Sequence, residues 1–409
     1  MRVATCVVDI TPQHEVHLCG YVGEARKHPA KGIHDNPLAV SLLLEVQNVR
    51  LLFLSVDVIA VDGKKSSIIK KEICEEIGMD EQHIIISAIH SHSLPKGFMR
   101  EDSAFDQPND PEYFTYVCSR IVESIKGIDM KLTDVTASIA ECKIHGYYSK
   151  RSDIEAEFDD NAAIIKFMNG EKVVAAMCNF NCHATVLGPD NMLLSTDLIG
   201  KVRSILEKEL GVIPYTFTGA SGDISNRQFR QGNDFDELDR VGTGIADILK
   251  KMDSYNSLDL GELHIKKYEH HIVYDNTLHY DDYRREIKEA EKELAQKNVS
   301  LDVWKLRSSE IMALNNKLNV KTVDFYVRGI VIHSGNLTIV TFPGELASKF
   351  GLQLRKICKT EHFLLIGYAN DFQGYFIETE DYGKTYETKA SNTPRGESEA
   401  IVDEIGELL

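Results

Sequence analysis

Tryptophan occurs once in 409 residues, proline only ten times, and long apolar runs are missing. The longest such runs, Leu51 to Leu54 and Ile84 to Ile89, fall far short of the roughly 20 residues that a membrane-spanning helix needs. No integral membrane segment is therefore expected. The first residues, MRVATCVVDITP, lack a basic region followed by an apolar stretch, so no signal peptide is read there and a cytoplasmic protein is expected. Basic residues are in deficit: 46 Lys and Arg against 63 Asp and Glu give a formal charge of −17. Such a surface repels phosphates, which argues against nucleic acid or an anionic membrane as partner. The eight cysteines have no compact repeated spacing, so they read as reduced, mostly buried thiols rather than a disulfide framework.

What is present is a chain with 43% apolar residues, enough for a sizeable core. Strand-like runs near Val3 to Ile10, Leu42 to Val46, Arg50 to Val56, Ile84 to Ala88 and Val135 to Ile139 alternate with helical stretches at Lys64 to Ile77 and Pro111 to Ile125. A second series has strands near Ala162 to Phe167, Val173 to Asn179 and Val212 to Thr218, with helices near Asp197 to Leu210 and Asp234 to Met252. The last part reads as strands at Ile330 to His333, Leu337 to Thr341 and Phe363 to Tyr368, with a helix from Glu345 to Cys358. This rhythm predicts an α/β fold of mixed sheets flanked by helices, as a single domain over 1–409. Residues 281–319 turn charged and predict a helical hairpin. It is expected to pack on a sheet edge through Leu294, Val303, Trp304, Leu306, Ile311 and Leu314; an oligomer contact or an active-site lid is the alternative.

Chemistry concentrates in a few segments. In SAIHSHSLPKG, a strand ends and two histidines alternate; on a continuing strand His90 and His92 share one face. His90 is expected to be a metal ligand, with His92 beside it touching ligand or substrate. His183 follows another strand and opens a polar loop, making it a second candidate ligand. Cys178 and Cys182 lie close to it, but a closed thiolate zinc site needs four ligands and no second cysteine pair is near. The stretch FTGASGDISN supplies Gly219 and Gly222 for sharp turns and places Ser225 beside them; it does not fit a GxSxG elbow, so Ser225 reads as a supporting group. His34 and Asp57, near strand ends, are further candidates for the same cleft.

These segments, in order, resemble the neutral ceramidases. IHSHS, NFNCHAT with Ser195 and Asp197 downstream, FTGASGDISN, GIHDNPLAVSLLLE around His34, FPGEL around Glu345, and GYANDFQGYFIETEDYGKTYE span nearly the whole chain. The resemblance implies the family's catalytic domain and a zinc ion held by His90, His183, Glu345 and Tyr375. Nitrogen and oxygen donors suit zinc. Read by itself, Glu345 is a carboxylate at a helix start. The resemblance also makes Arg151, in YYSKRSD, a substrate-side residue. His92, Arg151 and the phenols Tyr382 and Tyr386 are then candidates to stabilise an oxyanion, and His92 to carry a proton to the leaving nitrogen. Three departures stand out: Asn226 where proline is usual, and Leu94 and Lys96 where glycines are usual. They bear on the substrate, which is expected to be a small N-acyl or acylated molecule. The competing readings are a serine amidohydrolase using Ser225, a non-catalytic binding protein on the same fold, and, more weakly, a two-metal phosphatase. A homo-oligomer is compatible with the sequence.

Overall fold

The computed structural model describes residues 1–100 and 107–409, without the side chains at 301, 302 and 305. Three sheets share one inner core. The first has the strand order Ile84–Ala88, Val49–Val56, Leu38–Val46, Arg2–Asp9, Thr133–Asp134. The second runs Tyr215–Phe217, Lys172–Phe180, Asn161–Asn169, Thr136–Lys143, Asn256–Leu258. The third runs Leu263–Asp275, Thr322–Ser334, Leu337–Thr341, His362–Ile366. Leu42 and Phe53 from the first, Ile165 and Met177 from the second, and Ile332 and Leu364 from the third pack in one apolar cluster. Alternate residues of the same strands point outward, and each outer face is covered by helices. Gly63–Ile77 and Pro111–Ile125 cover the first sheet. Asp197–Leu210 and Phe235–Lys250 cover the second, and Ser348–Ile357 and Glu397–Leu408 the third. The α/β architecture of mixed sheets flanked by helices expected from the sequence is the one observed.

Local signals set the helix ends. Asp62, Asp110 and Asp234 each accept a backbone N–H three residues on, and Pro111 opens its helix without wasting a donor. The helix expected from Glu345 starts instead at Ser348, because Asp223, distant in sequence, accepts the Ser348 N–H at 2.8 Å. Glu345 lies in the short strand Glu345–Leu346, paired in parallel with Tyr375–Phe376.

The helical hairpin is present as Tyr280–Leu294 and Leu301–Leu318, but not as a sheet-edge excursion. It is carried at the tip of a long ribbon in which Leu263–Asp275 pairs with Thr322–Ser334 over thirteen residues each. The strand Leu263–Asp275 escapes a sequence reading because most of its side chains are exposed; Tyr268 and Ile272 are among the few that are buried. Leu314 and Ala313 are buried, while Trp304 remains 41% exposed. Five cysteines are buried and all eight are free thiols. Among the described residues no helix is long and apolar enough to cross a membrane.

Candidate metal centre

Chain segments leaving the C-terminal ends of strands from all three sheets meet at one place. His90 follows Ile84–Ala88, His183 follows Lys172–Phe180, the 219–225 turn follows Tyr215–Phe217, and Glu345 follows Leu337–Thr341. Tyr375 lies beyond His362–Ile366 and is aligned with Glu345 by the two-strand ladder. The strand carrying His90 ends at Ala88, so His90 and His92 do not share a strand face as expected. His90 instead adopts a left-handed backbone, φ 60°, uncommon for a residue with a side chain and typical of functional sites.

Each imidazole is oriented by a backbone carbonyl at 2.7 Å from Nδ1: Ile59 for His90, Gly20 for His92 and Ser221 for His183. A carbonyl only accepts, so Nδ1 carries the proton and the Nε2 lone pairs turn inward. His90 Nε2 lies 3.3 Å from His92 Nε2, 3.5 Å from Glu345 Oε2, and His183 Nε2 lies 2.9 Å from the same oxygen. Burial, reinforced by the neighbouring cationic and imidazole groups, depresses the pKa of His90 and His183 well below the usual value and that of His92 to about 3. Burial raises the Glu345 pKa, against the pull of His90, Arg151 and a hydrogen bond with Tyr375.

These inward atoms are acceptors without donors. His183 Nε2 and Glu345 Oε2 are fully buried and neither has a hydrogen-bond donor, although they are in contact. A shared proton relieves one such pair; a cation relieves all of them at once, since unpaired buried acceptors are costly. The three histidine atoms lie within 4.8 Å of one another, a group able to hold a metal ion. The residues present therefore fit a metal with nitrogen and oxygen ligands. Cys182 is close by, but its thiol contacts the His183 carbonyl and burial pushes its pKa up, so it is neutral and outside the cluster.

The turn 219–225 aligns the rest. Gly222 donates to Leu346 O at 2.9 Å, and a Cβ there would lie 2.4 Å from the Glu345 carbonyl oxygen; only glycine permits that approach. The Asp223 carbonyl accepts the Arg151 N–H at 2.8 Å. The Arg151 guanidinium pairs with Glu387 at 2.9 Å and with the Gly222 carbonyl, yet its buried Nε has no partner. Ser225 Oγ accepts the Arg227 N–H at 3.3 Å, and among the described residues no imidazole hydrogen-bonds it. Ser225, Arg151, Tyr375 and Tyr386 all line a cavity of about 730 Å³ that opens from His90, His92 and Glu345.

Other candidates lie elsewhere. Tyr382 is not among the residues lining that cavity; its hydroxyl donates to the Thr393 carbonyl and closes the C-terminal loop. His34 stacks on Phe235 at 3.8 Å, and Asp57 is a buried carboxylate bound by both Arg203 guanidinium nitrogens at 2.7 and 2.5 Å. The hairpin does reach the cavity, through Val303, Leu306, Met312 and Lys317. Arg26 is missed by sequence reading altogether. Fully buried, it donates to the carbonyls of His92 and Pro189 at 2.9 Å and of Gly188 at 3.2 Å, tying three loops around the centre. Nothing local in ARK distinguishes it from a surface arginine.

Comparison with known proteins bears on the family and the fold. The sequence model described as neutral/alkaline non-lysosomal ceramidase, N-terminal, matches residues 2–220. A solved ceramidase complexed with C2 superposes with a TM-score of 0.74 at 15% identity, over 98% of this chain and 73% of the other. Neutral ceramidase from Pseudomonas aeruginosa superposes with a TM-score of 0.74 at 17% identity, over 100% of this chain and 75% of the other. At those identities the superpositions show the fold alone. No curated protein matches the sequence significantly. With the family model covering more than half of its length, the chain belongs to the neutral/alkaline ceramidase family.

Proposed function

We propose that this chain is a zinc-dependent hydrolase of an amide bond in an N-acyl substrate, ceramide or a related acylated molecule, and that its 409 residues act as one catalytic unit. The observation that carries the reading is the convergence of His90 and His183 Nε2 on Glu345 Oε2, with His92 Nε2 beside His90 Nε2 and no donor to His183 Nε2 or Glu345 Oε2. His90, His183, Glu345 and Tyr375 would hold the ion. When bound, zinc supplies Lewis acidity and a nucleophile from water near neutral pH.

The protein's own groups supply the rest. Arg151, held by Glu387, lines the cavity, and its positive charge would favour negative charge developing on the substrate carbonyl oxygen. Tyr386, edge-on to Tyr375 at 6.0 Å, offers a second hydroxyl along the same wall. His92 holds its Nδ1 proton on Gly20 and keeps Nε2 free of a proton, so it can take one at Nε2 and pass it to the leaving nitrogen. Ser225 braces the turn whose Asp223 and Gly222 contact Arg151 and the Glu345–Leu346 strand. The hairpin helix walls the cavity and excludes water from one side.

The test is metal analysis of the purified protein joined to a hydrolysis screen over ceramides, N-acyl amino acids and acylated sugars. One zinc per chain and turnover that a chelator abolishes and zinc restores are expected. Turnover indifferent to chelation and lost in Ser225→Ala would replace this reading with the serine mechanism.

A further inference from the structure

The cavity has a marked electrostatic bias within an acidic chain. Beyond the metal centre and Arg151, its charged lining is Arg100, Arg227, Arg230 and Lys317 against one carboxylate, Asp62, among the described residues. Arg100, Arg227 and Arg230 each also engage other residues of the chain, which leaves Lys317 as the cation to test.

Lys317 sits in the last turn of the hairpin helix and is only 9% exposed, yet it lines the cavity. Its ammonium lies 5.4 Å from the Tyr283 ring centre, and among the described residues no carboxylate is within ion-pair distance. Burial lowers its pKa to about 8 against a weaker pull from Glu286. Lys317 lines the cavity, and a largely desolvated ammonium gains most from an anionic guest. The same helix presents Val303, Leu306 and Met312 to that cavity, an apolar bed for a chain.

We propose that the substrate carries a carboxylate as well as its scissile amide, with Lys317 pairing the carboxylate while the apolar face of Leu301–Leu318 receives the acyl chain. An N-acyl amino acid has this chemistry; ceramide, with a neutral head, does not. The inference rests on the amide-hydrolase reading above and narrows it.

The test compares N-dodecanoylglycine with N-dodecanoylglycinamide, which differ in one charge. Dodecanoate release by the zinc-loaded protein gives kcat/KM, and calorimetry on chelator-treated protein gives binding without turnover, for the native chain and Lys317→Met. The acid is expected to be preferred by about tenfold in both measurements, with Lys317→Met reducing the preference below about threefold and leaving the amide unchanged. Equal handling of acid and amide, a preference that survives Lys317→Met, or binding of neither compound overturns the inference without touching the hydrolase reading. Absence of turnover on every N-acyl compound sinks the hydrolase reading, and the binding measurement then still decides whether Lys317 selects an anion.

Discussion

His183 Nε2 and Glu345 Oε2 meet at 2.9 Å inside the protein as two acceptors, with no proton donor between them. The Ser221 carbonyl at Nδ1 fixes the His183 ring, so its Nε2 cannot turn away. That contact is favourable only with a cation or a proton in it.

Glu345→Gln separates these two roles. An amide can donate to His183 Nε2, so the metal-free variant is expected to gain about 1 to 2 kcal/mol of stability over metal-free native protein. The same variant, and His183→Ala, should fail to retain zinc and fall to background activity. Denaturant titration of chelated samples and metal analysis check the two halves separately; retention of stoichiometric zinc by both variants would remove this centre.

Gly20 combines φ 108° with a Cβ position only 2.6 Å from the His92 ring. Gly20→Ala is therefore expected to cost about 2 kcal/mol and to move His92 off its carbonyl anchor, lowering kcat more than it raises KM. Thermal unfolding and steady-state kinetics on the variant measure both.

Arg26→Met keeps bulk but removes donors from three buried carbonyls. A loss of about 3 kcal/mol is expected, with Arg26→Lys recovering part of it, because removing one partner leaves the other groups unsatisfied. Equal stability of all three proteins by chemical denaturation would show that the loops do not depend on this tie.

Ser225→Ala tests the serine alternative directly. A bracing role predicts less than about a tenfold fall in kcat/KM and unchanged chelator sensitivity; a nucleophile predicts a fall of about 10⁴-fold or more.

His270 gives a pH dependence away from the site. Its two ring nitrogens lie 2.7 Å from Glu404 and 2.7 Å from Glu397, both on the helix Glu397–Leu408. Although its own burial opposes the charge, these hydrogen bonds raise its pKa above the usual value. The folded state thus holds the proton more tightly than the unfolded one. Its stabilising effect is complete below the unfolded pKa, near 6.5, and is lost as pH rises through the folded value. With half-exposed carboxylates the effect is about 1 kcal/mol or less. Melting temperature should decline across this window in the native protein and flatten in His270→Gln.

Several elements were legible from local pattern. Ile84–Ala88, Pro111–Ile125, Asp197–Leu210 and Leu337–Thr341 have the bounds the sequence predicts, because each is an apolar run or amphipathic stretch closed by its own capping or turn residues. His90 and His183 are candidates from the sequence because each follows a strand, where a chain leaving a sheet can turn into a cleft, whereas Glu345 is one only through the family resemblance. Tyr382 was drawn toward the site by its closeness in sequence to Tyr375 and Tyr386, but its hydroxyl is satisfied by Thr393 instead. Arg26 and Lys317 carried no local mark, since burial of a charged side chain is decided by what folds over it.

The amino-acid sequence alone determined most of the strands and helices and the order in which the candidate ligand side chains appear, because those follow from periodicity and capping within short stretches. Only the tertiary structure decided that three imidazoles point Nε2 inward. Their Nδ1 anchors come from carbonyls 31, 72 and 38 positions away, so the direction of each lone pair exists only after the three sheets have packed.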